Sequence, residues 1–458
     1  MKTFQDWLEV ADQSEKQRMS FIKGLINDHK ASKIYKQAKD AENYYAGQNT
    51  TIKRYERVLY TATGEAVRDL FSANHQIATR FFYREVMQTT STLLGNGIKW
   101  TTGAGEEALG ADFDRKIMKA GKQAQIGGVS FGFYNNGQVE VYKITEFVPL
   151  YDEEDGALKA GVRFWQIDDQ KPLRATLFEL DGLTEYQFDE DHPEGFIRKQ
   201  KRAYIIVKQT SEAFGDEDFQ FENYPTFPVV PCWANEIKQS ELTPIRATID
   251  CYDLINSGYA NNIDDANIIY WTITNAGGMD DVDLCAFLDK MRKLHAAQTD
   301  GDQIVTPNTV DVPFAGREAL LDRLEKQLYK DAMALNTYDI ANGAVTATQI
   351  EAAYEPLNEK LDDFESEISD FISRLLVVAG AEDEPSYERS KLVNRTEEIT
   401  TLTNAGLYLD DEYIREKIMT AMGDKDKIQD SLDKKAAQDI QRMTGGSSAA
   451  TEAPEAES

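Results

Sequence analysis

The side chains in this sequence that could do chemistry are mainly carboxylates. Acidic residues cluster twice, once at Asp152-Glu153-Glu154-Asp155 and once at Asp280, Asp281 and Asp283. Carboxylates that converge on a divalent ion can support phosphodiester hydrolysis, so a metal-dependent nuclease is one alternative for this chain. Both clusters stand beside glycine in predicted turns, where solvated loop charge is the simpler interpretation.

Other catalytic signatures do not occur in the sequence. It contains no GxxxxGK[ST] phosphate-binding loop and no GxSxG nucleophile motif. The four histidines are scattered, without the HExxH or paired spacing that would indicate a zinc site: His29, His75, His192 and His295. We therefore predict that the chain is not an enzyme, and we predict no catalytic, cofactor-binding or metal-binding residue.

The overall charge limits the partners that this chain can have. Fifty lysines and arginines stand against 79 acidic residues, which leaves a net charge of −29. Proteins that bind DNA tightly by neutralising phosphates are basic overall, so the charge argues against such a protein, although not against one that DNA only passes. One basic stretch near the N-terminus is interpreted as a solvated helix face or, alternatively, as a contact for an acidic partner or DNA: Lys16, Lys23, Lys30, Lys33, Lys36 and Lys39.

Length and cysteine content suggest a soluble protein of several domains. A chain of 458 residues is too long for one compact core, so roughly two to four domains are expected. Cys232, Cys251 and Cys285 have no CxxC spacing, which indicates free thiols in a reducing cytoplasm. No apolar run approaches the ~18 residues that span a bilayer, and no signal-peptide core is present. We expect a non-secreted protein without a membrane partner.

A long amphipathic helix predicted over residues 346–376 organises the chain. Thr348 and Glu351 form a capping box at its start, and Pro356 predicts a kink near Ala352. Its apolar residues alternate in steps of four and three, as one buried seam requires: Ile350, Tyr354, Leu357, Leu361, Phe364, Ile368, Phe371 and Leu375. The other faces carry many carboxylates against Lys360 and Arg374 alone. A solvated amphipathic helix is the plain interpretation.

The elements before this helix predict an α+β fold. Residues 1–127 read as helices. One runs from Phe4 to Leu25, a second stops before Gly47, a third runs from Ile77 to Leu94, and a fourth runs from Leu109 to Ala124. Period-two strands then begin at Val129, and Asn136-Gly137 predicts a hairpin turn. Further strands over 161–209 predict an antiparallel meander packed on the N-terminal helices. An extended linker closes this part at Pro225, Pro228 and Pro231.

The remaining elements suggest a helix pair with an inserted tip. Ser240 caps a helix that reaches Ile263, strands over 268–274 and 303–312 flank a helix over 284–297, and a helix over 317–335 returns. A loop over 336–345 leads into the long helix. Two short helices are predicted at 397–404 and 411–422, and the tail from Thr444 is predicted to be disordered.

Several short sequence segments, which follow one another in a fixed order along residues 35–425, are similar to those of a known family. They are Ala41–Asn49, Asn74 with Leu93–Ile98, Val148–Asp152 with Gly161–Trp165, Asn235-Glu236 with Ser240-Glu241-Leu242, Ile249–Leu254 with Ser257 and Asn262, and Asn342-Gly343-Ala344 before the long helix. Together they resemble the portal proteins of tailed double-stranded-DNA bacteriophages, the type found in long-tailed phages. Ala344-Val345-Thr346 departs from the serine-glycine pair expected there.

The resemblance implies a fold and a set of partners. Portal proteins form a ring, most often a dodecamer, at one capsid vertex of the virion after assembly in the host cytoplasm. Double-stranded DNA is packaged through the ring by the terminase motor and later ejected. The implied partners are other copies of the chain, the DNA in the channel, the terminase large subunit, the major capsid and scaffolding proteins, and a head-completion adaptor. No cofactor is implied. A phage neck or adaptor protein and an ordinary monomeric scaffold are the structural alternatives.

Carried over by position, the resemblance also divides the chain. Residues 1–235 resemble the wing, made of helices and an antiparallel sheet. Residues 236–265 and 315–335 resemble the helical stem, and 266–314 resemble a small α/β clip. The remaining expected segments are a tunnel loop at 336–345, a long kinked inner helix at 346–378, a helical crown at 379–442 and a disordered tail at 443–458.

Three groups of residues are expected to act in such a ring. An acidic bore would repel the DNA duplex weakly from all sides, so the duplex would slide without sticking. We therefore expect a channel lining from Glu351, Glu355, Glu359, Asp362 and Asp363. The constriction is expected at the tunnel-loop residues Asn336, Tyr338, Asp339, Asn342 and Gly343. The contact with the packaging motor is expected at the clip residues Asp280, Asp281 and Asp283.

Overall fold

A computed structural model describes most of the chain. The described residues are 2–60, 64–69, 74–210, 217–266, 270–274, 304–308, 314–338, 347–390 and 410–422, with short stretches at 282–283, 285–287, 403–404, 428 and 432–434. The chain divides into one compact unit of residues 1–345 and 350–390 and a second of 346–349 and 391–458. Several predictions lie outside the described residues: the turn at 275–278, most of the helices at 284–297 and 397–404, and the tail from residue 443.

Four helices begin the first unit. They are α1 (Phe4–Ala11), α2 (Glu15–Ala31), α3 (Lys33–Tyr45) and α4 (Thr50–Lys53). The prediction of one helix from Phe4 to Leu25 is wrong, because Ser14 and Gln17 form a capping box that starts a second helix. The predicted end of α3 is confirmed, since Gly47 follows it with a φ of +74°.

The next segment mixes short strands with three helices. The strands are β1 (Val58–Tyr60), β2 (Ala66–Arg68) and β3 (Ile98–Trp100), and the helices are α5 (Phe81–Leu94), α6 (Ala104–Leu109) and α7 (Phe113–Gly127). The expectation that residues 1–127 are wholly helical is therefore wrong. The third predicted helix begins at Phe81 and not at Ile77, because the backbone N–H groups before it bond to side chains of a distant helix.

A three-stranded sheet follows α7. Strands β4 (Val129–Tyr134) and β5 (Val139–Lys143) form the predicted hairpin, and φ angles of +45° at Asn136 and +79° at Gly137 confirm its tight turn. The third strand is β13 (Val229–Trp233), which pairs with β4. The predicted linker is thus wrong at Pro231, which lies in a strand. An edge strand tolerates this proline because one side of its backbone needs no hydrogen bond.

A five-stranded antiparallel meander is present, as predicted, but it covers residues 147–202 and not 161–209, because residues 205–210 pair with 217–222 instead. Its strands are β6 (Phe147–Tyr151), β7 (Leu158–Trp165), β8 (Leu173–Glu179), β9 (Gly182–Phe188) and β10 (Phe196–Arg202), and β10 and β6 form the two edges. One face packs on α1 and α2 around Trp7 and Ile22, as predicted. The opposite face packs Phe147 and Phe178 against the three-stranded sheet. A separate hairpin follows, made of β11 (Ile205–Thr210) and β12 (Glu217–Glu222).

Two helices and a strand pair come next. Helix α8 (Leu242–Ala266) packs against α9 (Phe314–Asp331), and strands β14 (Tyr270–Thr274) and β15 (Ile304–Asn308) pair between them in sequence. Ser240 accepts a hydrogen bond from the Leu242 N–H at 3.2 Å, which confirms the predicted cap. The outgoing helix, paired strands and returning helix were all expected.

The long helix α10 spans Ala347–Ala379, so Thr348 lies inside its first turn and not before it. Its 33 residues are continuous through Pro356. Strand β16 (Pro385–Tyr387) then pairs with β3. Helix α11 (Asp411–Met422) in the second unit agrees with the predicted range. In the described part of the chain, no helix is long and apolar enough to cross a membrane. The fold class is α+β, as predicted.

Candidate functional site

The apolar seam of α10 is buried as predicted. Seven of the eight predicted residues have 6% or less of their surface exposed, and Ile350 is partly buried. The seam lies in a large core with residues of α5, α7 and β13. Two glycines allow its aromatic rings to approach: a Cβ at Gly132 would lie 2.5 Å from the Phe371 ring, and one at Gly121 would lie 2.9 Å from Phe364. This packing fixes which face of α10 is left exposed.

The face opposite the seam carries the five carboxylates predicted to line a channel. Glu351, Glu355, Glu359, Asp362 and Asp363 are all exposed. At 100° per residue they occupy about 120° of the helix circumference. Burial of the seam therefore presents them together on one side of the helix. This arrangement concentrates negative charge along one surface of this chain.

Two of these five carboxylates have partners within the chain. Asp362 accepts a hydrogen bond from Arg389 at 2.5 Å, and Arg389 also contacts Glu365 at 2.6 Å. Asp363 accepts from the backbone N–H of Glu236 at 3.3 Å, and partial burial raises the pKa of its carboxyl. Within the described part of the chain, Glu351, Glu355 and Glu359 form no ion pair.

A buried ion-pair network occupies the border of the seam. The Lys360 ammonium contacts a carboxylate oxygen of Glu85, Glu241 Oε2 at 2.8 Å and the Ala332 carbonyl at 3.0 Å. The Lys360 side chain is only 10% exposed. Its three N–H donors therefore have three acceptors, which a buried ammonium requires. These acceptors come from α5, from the residue before α8 and from the residue after α9, so one side chain joins four elements.

The pKa values of this network reflect two carboxylates that share one cation. Burial alone would lower the pKa of Lys360, but the charges of Glu85 and Glu241 raise it. Burial raises the pKa of Glu85 to about 7 in spite of the lysine beside it. Glu85 Oε2 is buried without a hydrogen-bond partner among the described residues, which agrees with a carboxyl that gains a proton near neutral pH.

This network was not predicted from the sequence. Lys360 was counted among the cations of the polar face, although it follows Leu357 by three residues and precedes Phe364 by four. Residues at these spacings share one helix face, so this position is a detectable signal. Glu85 and Glu241 carry no comparable signal, because they lie 275 and 119 residues from Lys360 in the sequence.

A second polar arrangement fixes an extended segment on α8. Asp253, Ser257 and Asn261 are buried one turn apart on this helix. Four helical residues advance about 6 Å and two extended residues about 6.6 Å, so the two repeats match. The helix side chains accept hydrogen bonds from alternate backbone N–H groups: Thr79 at 3.0 Å, Ile77 at 2.9 Å and His75 at 2.7 Å, respectively. The sequence singles out Asp253 and Ser257 only within the segments that carry the resemblance.

The other predicted site residues are only partly described. Asn336 is half-buried and accepts a hydrogen bond from the backbone N–H of Tyr338 at 3.1 Å, and Tyr338 itself is 74% exposed. Asp283 is exposed. The remaining members lie outside the described residues: Asp339, Asn342 and Gly343 of the loop, and Asp280 and Asp281 of the clip.

The first acidic cluster is held against α1. Gln5 donates to Asp152 at 2.8 Å and accepts from the Glu153 N–H at 3.0 Å, and Thr3 donates to Glu153 at 2.7 Å. Lys159 pairs with Asp155 at 2.8 Å. Among the residues that the structure describes, no group of three histidine, cysteine or acidic side chains is arranged to hold a metal ion. The cluster is therefore a structured turn with exposed charge.

Comparisons with known proteins connect this arrangement to one family. The family of phage portal proteins described as SPP1 Gp6-like matches residues 24–441. The portal protein of Bacillus phage SPP1 is 21% identical over 388 residues, 79% of this chain and 72% of that protein. The portal protein of Clostridium phage phiCD119 is 23% identical over 253 residues, 50% of this chain and 55% of that protein, so this match spans about half the length of that relative.

Solved structures give weaker similarities. The neck of a native gene transfer agent particle, computed with C12 symmetry, is 13% identical with a TM-score of 0.42, and the match covers 74% of this chain and 89% of that one. The virion of the native gene transfer agent particle has the same TM-score and coverage at 12% identity.

Proposed function

This chain belongs to the SPP1 Gp6-like family of phage portal proteins, and from that premise we propose that it forms a closed ring through which double-stranded DNA enters and leaves a capsid. Portal proteins are structural, so the chain is a structural protein and not an enzyme. The ring is most often a dodecamer in this family. Twelve chains of 51.7 kDa each would form an assembly of about 620 kDa.

The acidic face of α10 is the single observation that carries the proposed channel. B-DNA presents about one negative charge per 1.7 Å of axis, and a basic wall would bind these charges by releasing their counterions. A ring repeats each residue once per subunit, so a few glutamates per chain would produce a strongly negative bore. Glu351, Glu355 and Glu359 suit this role best, because they are exposed and free of ion pairs among the described residues. Asp362 and Asp363 would contribute less.

The other regions would then serve the partners of a portal ring. We assign residues 1–235 to the wing, α8 and α9 to the stem, and the segment with β14 and β15 to the clip, with a tunnel loop before α10 and a crown after it. Tyr338 would contribute to the constriction, and its exposed ring supports that role. The clip around Asp283 would meet the terminase large subunit and later the head-completion adaptor, and the wing would meet capsid and scaffolding proteins.

Two measurements test this function. Analytical ultracentrifugation and negative-stain imaging of the purified chain should give closed rings of several hundred kilodaltons. The variant Glu351→Lys/Glu355→Lys/Glu359→Lys should still form rings but should package much less DNA in an assembly reaction, because its bore would attract phosphates.

The matched control reverses three exposed glutamates on other helices, Glu9→Lys/Glu106→Lys/Glu107→Lys, and should package normally. A chain that remains monomeric would refute the ring. Rings of the Glu351/Glu355/Glu359 variant that package DNA at the normal rate would refute the channel lining. Wild-type rings that never carry DNA would instead indicate a neck or adaptor protein.

A further inference from the structure

Three cations converge on a single carboxylate at one edge of the five-stranded sheet. Glu185 on β9 contacts Arg198 at 3.3 Å, Lys199 at 2.9 Å and Arg202 at 3.1 Å, all on β10. The Glu185 side chain is 14% exposed, whereas the three cations are 40–47% exposed. The carboxylate therefore lies beneath the cations, and the surface above it is positively charged.

Irregular pairing of β10 creates this convergence. In a regular strand, the neighbours Arg198 and Lys199 would point to opposite faces of the sheet. The register between β9 and β10 shifts between Ile197 and Lys199 and again between Lys199 and Arg202. Such bulges redirect side chains, and here they allow both neighbours to reach Glu185.

The cluster around Glu185 has more cations than carboxylates. One carboxylate compensates one of three cations, and like charges a few ångströms apart repel each other. This surplus is positive on a chain whose net charge is −29. A second carboxylate placed above the cations would relieve the repulsion and gain charge-assisted hydrogen bonds.

A cleft of about 460 Å³ opens beside the cluster and leaves room for such a group. Arg163 lines the cleft with its guanidinium over the rings of Tyr142, at 4.3 Å, and Trp165, at 4.7 Å. Its only ion pair among the described residues is with Glu140 at 3.5 Å, and its buried Nε has no hydrogen-bond partner there. The cleft thus contains four cations and two carboxylates.

We propose that this cleft binds the acidic turn at residues 152–155 of a second copy of this chain. The inference rests on the proposed ring and names one contact within it. Three residues of the turn, Glu153, Glu154 and Asp155, are exposed, and Asp152 is half-buried. Among the four carboxylates only Asp155 pairs with a described lysine, Lys159. Thr3 and Gln5 hold the turn in place, so little conformational entropy would be lost on docking.

The topology places the two surfaces where a ring needs them. A closed ring with more than two members requires two different, complementary patches on each chain. Three of the four cations lie on edge strand β10 and the fourth, Arg163, lies on β7, whereas the acidic turn follows the opposite edge strand, β6. Four strand spacings separate these edges by about 19 Å. One copy could therefore present its turn to one neighbour while its cleft receives the turn of the other.

A charge-swap experiment on the full-length chain tests this contact. Arg198→Glu/Lys199→Glu should raise the concentration for half-assembly at least about tenfold in sedimentation velocity, and Glu153→Lys/Glu154→Lys should do the same. Combining all four substitutions should restore assembly close to that of the wild type, because the attraction is rebuilt with opposite signs. The exposed neighbouring pair Lys53→Glu/Arg54→Glu is the matched control and should assemble normally.

Folding and ring formation are followed separately. Circular-dichroism melting reports whether each variant folds, and Arg198→Gln/Lys199→Gln is a milder variant that should weaken assembly without creating repulsion. Normal assembly of both cleft variants would overturn the contact and would mean that the cleft faces another anion, such as a nucleic-acid phosphate. Failure of the combined variant to recover would overturn the turn as its occupant. A monomeric wild type would overturn the ring itself, a distinct result.

Discussion

Two charged regions of α10 differ in what surrounds them. Lys360 is buried and contacts three other elements, whereas Glu351, Glu355 and Glu359 are exposed without ion pairs in the described chain. A buried charge whose partner is removed costs several kcal/mol, but an exposed one contributes little to stability. One helix therefore has a charge that fixes the fold and charges that are free to act on a ligand.

The largest expected effect comes from removing the buried cation. Lys360→Met keeps most of the side-chain volume but leaves Glu85 and Glu241 without their cation. We expect a loss of about 3–5 kcal/mol in the free energy of unfolding. Denaturant unfolding followed by circular dichroism measures it.

The exposed face provides the control for that prediction. Glu351→Gln/Glu355→Gln/Glu359→Gln should change the unfolding free energy by less than about 0.5 kcal/mol. The double variant Lys360→Met/Glu85→Leu should recover part of the lost stability, since one unpaired carboxylate is gone. The contrast between the buried and the exposed charges would be wrong if Lys360→Met were as stable as the wild type. It would also be wrong if the triple glutamine variant were less stable than Lys360→Met.

The next effect concerns pH. The folded-state pKa of Glu85, about 7, lies above the ordinary glutamate value of 4.5. The folded protein therefore binds a proton more tightly at this site than the unfolded chain does. The contribution of this group is full below pH 4.5 and is lost as the pH rises through 7.

Unfolding free energies at pH 5 and pH 7 should reveal this dependence. Glu85→Gln should remove a fall of about 2 kcal/mol between these two pH values, although other titrating groups add their own slopes to both proteins. Subtracting the pH profile of Glu85→Gln from that of the wild type leaves the contribution of Glu85 to the unfolding free energy. A difference that is flat, or that rises with pH, would contradict the assignment.

The smallest effect comes from the partly exposed ion pairs that two arginines form with carboxylates of α10. Arg389→Ala releases Asp362 and Glu365 and should cost about 1 kcal/mol, because the arginine is 20% exposed and contacts both carboxylates. Arg374 is the matched control, since it pairs only with Asp370 and is 57% exposed. Arg374→Ala should cost about 0.3–0.5 kcal/mol. If both variants lost the same unfolding free energy, burial would not determine how much each ion pair contributes to stability.

Local features of the fold could be predicted because local residues determine them. The hairpin at Asn136-Gly137 needs two positive φ angles, which these residue types adopt easily. The seam of α10 follows from helical periodicity alone. The break between α1 and α2 is also local, because the capping box at Ser14 starts a new helix where the apolar spacing alone predicts a continuous one.

Other errors came from distant contacts. Pro231 suggests a linker in the sequence, and only its pairing partner Phe131 makes its segment an edge strand. Ile77 fits the pattern of the helix that follows it. Its N–H instead bonds to Ser257, 180 residues away, so that helix begins later. Local propensity predicts neither the strand at Pro231 nor the later start of the helix, because in both cases hydrogen bonds to distant residues determine the backbone conformation.

The sequence by itself determined the helix seam, the meander and the excess of negative charge, since each depends on periodicity or composition. The tertiary structure alone decided which of the charges are buried. Lys360 becomes a structural cation because Glu85 and Glu241 fold next to it, and Glu185 gathers three cations because β10 is irregular. The physical reason is that an electrostatic energy depends on distance and burial, and folding sets both for residues far apart in the chain.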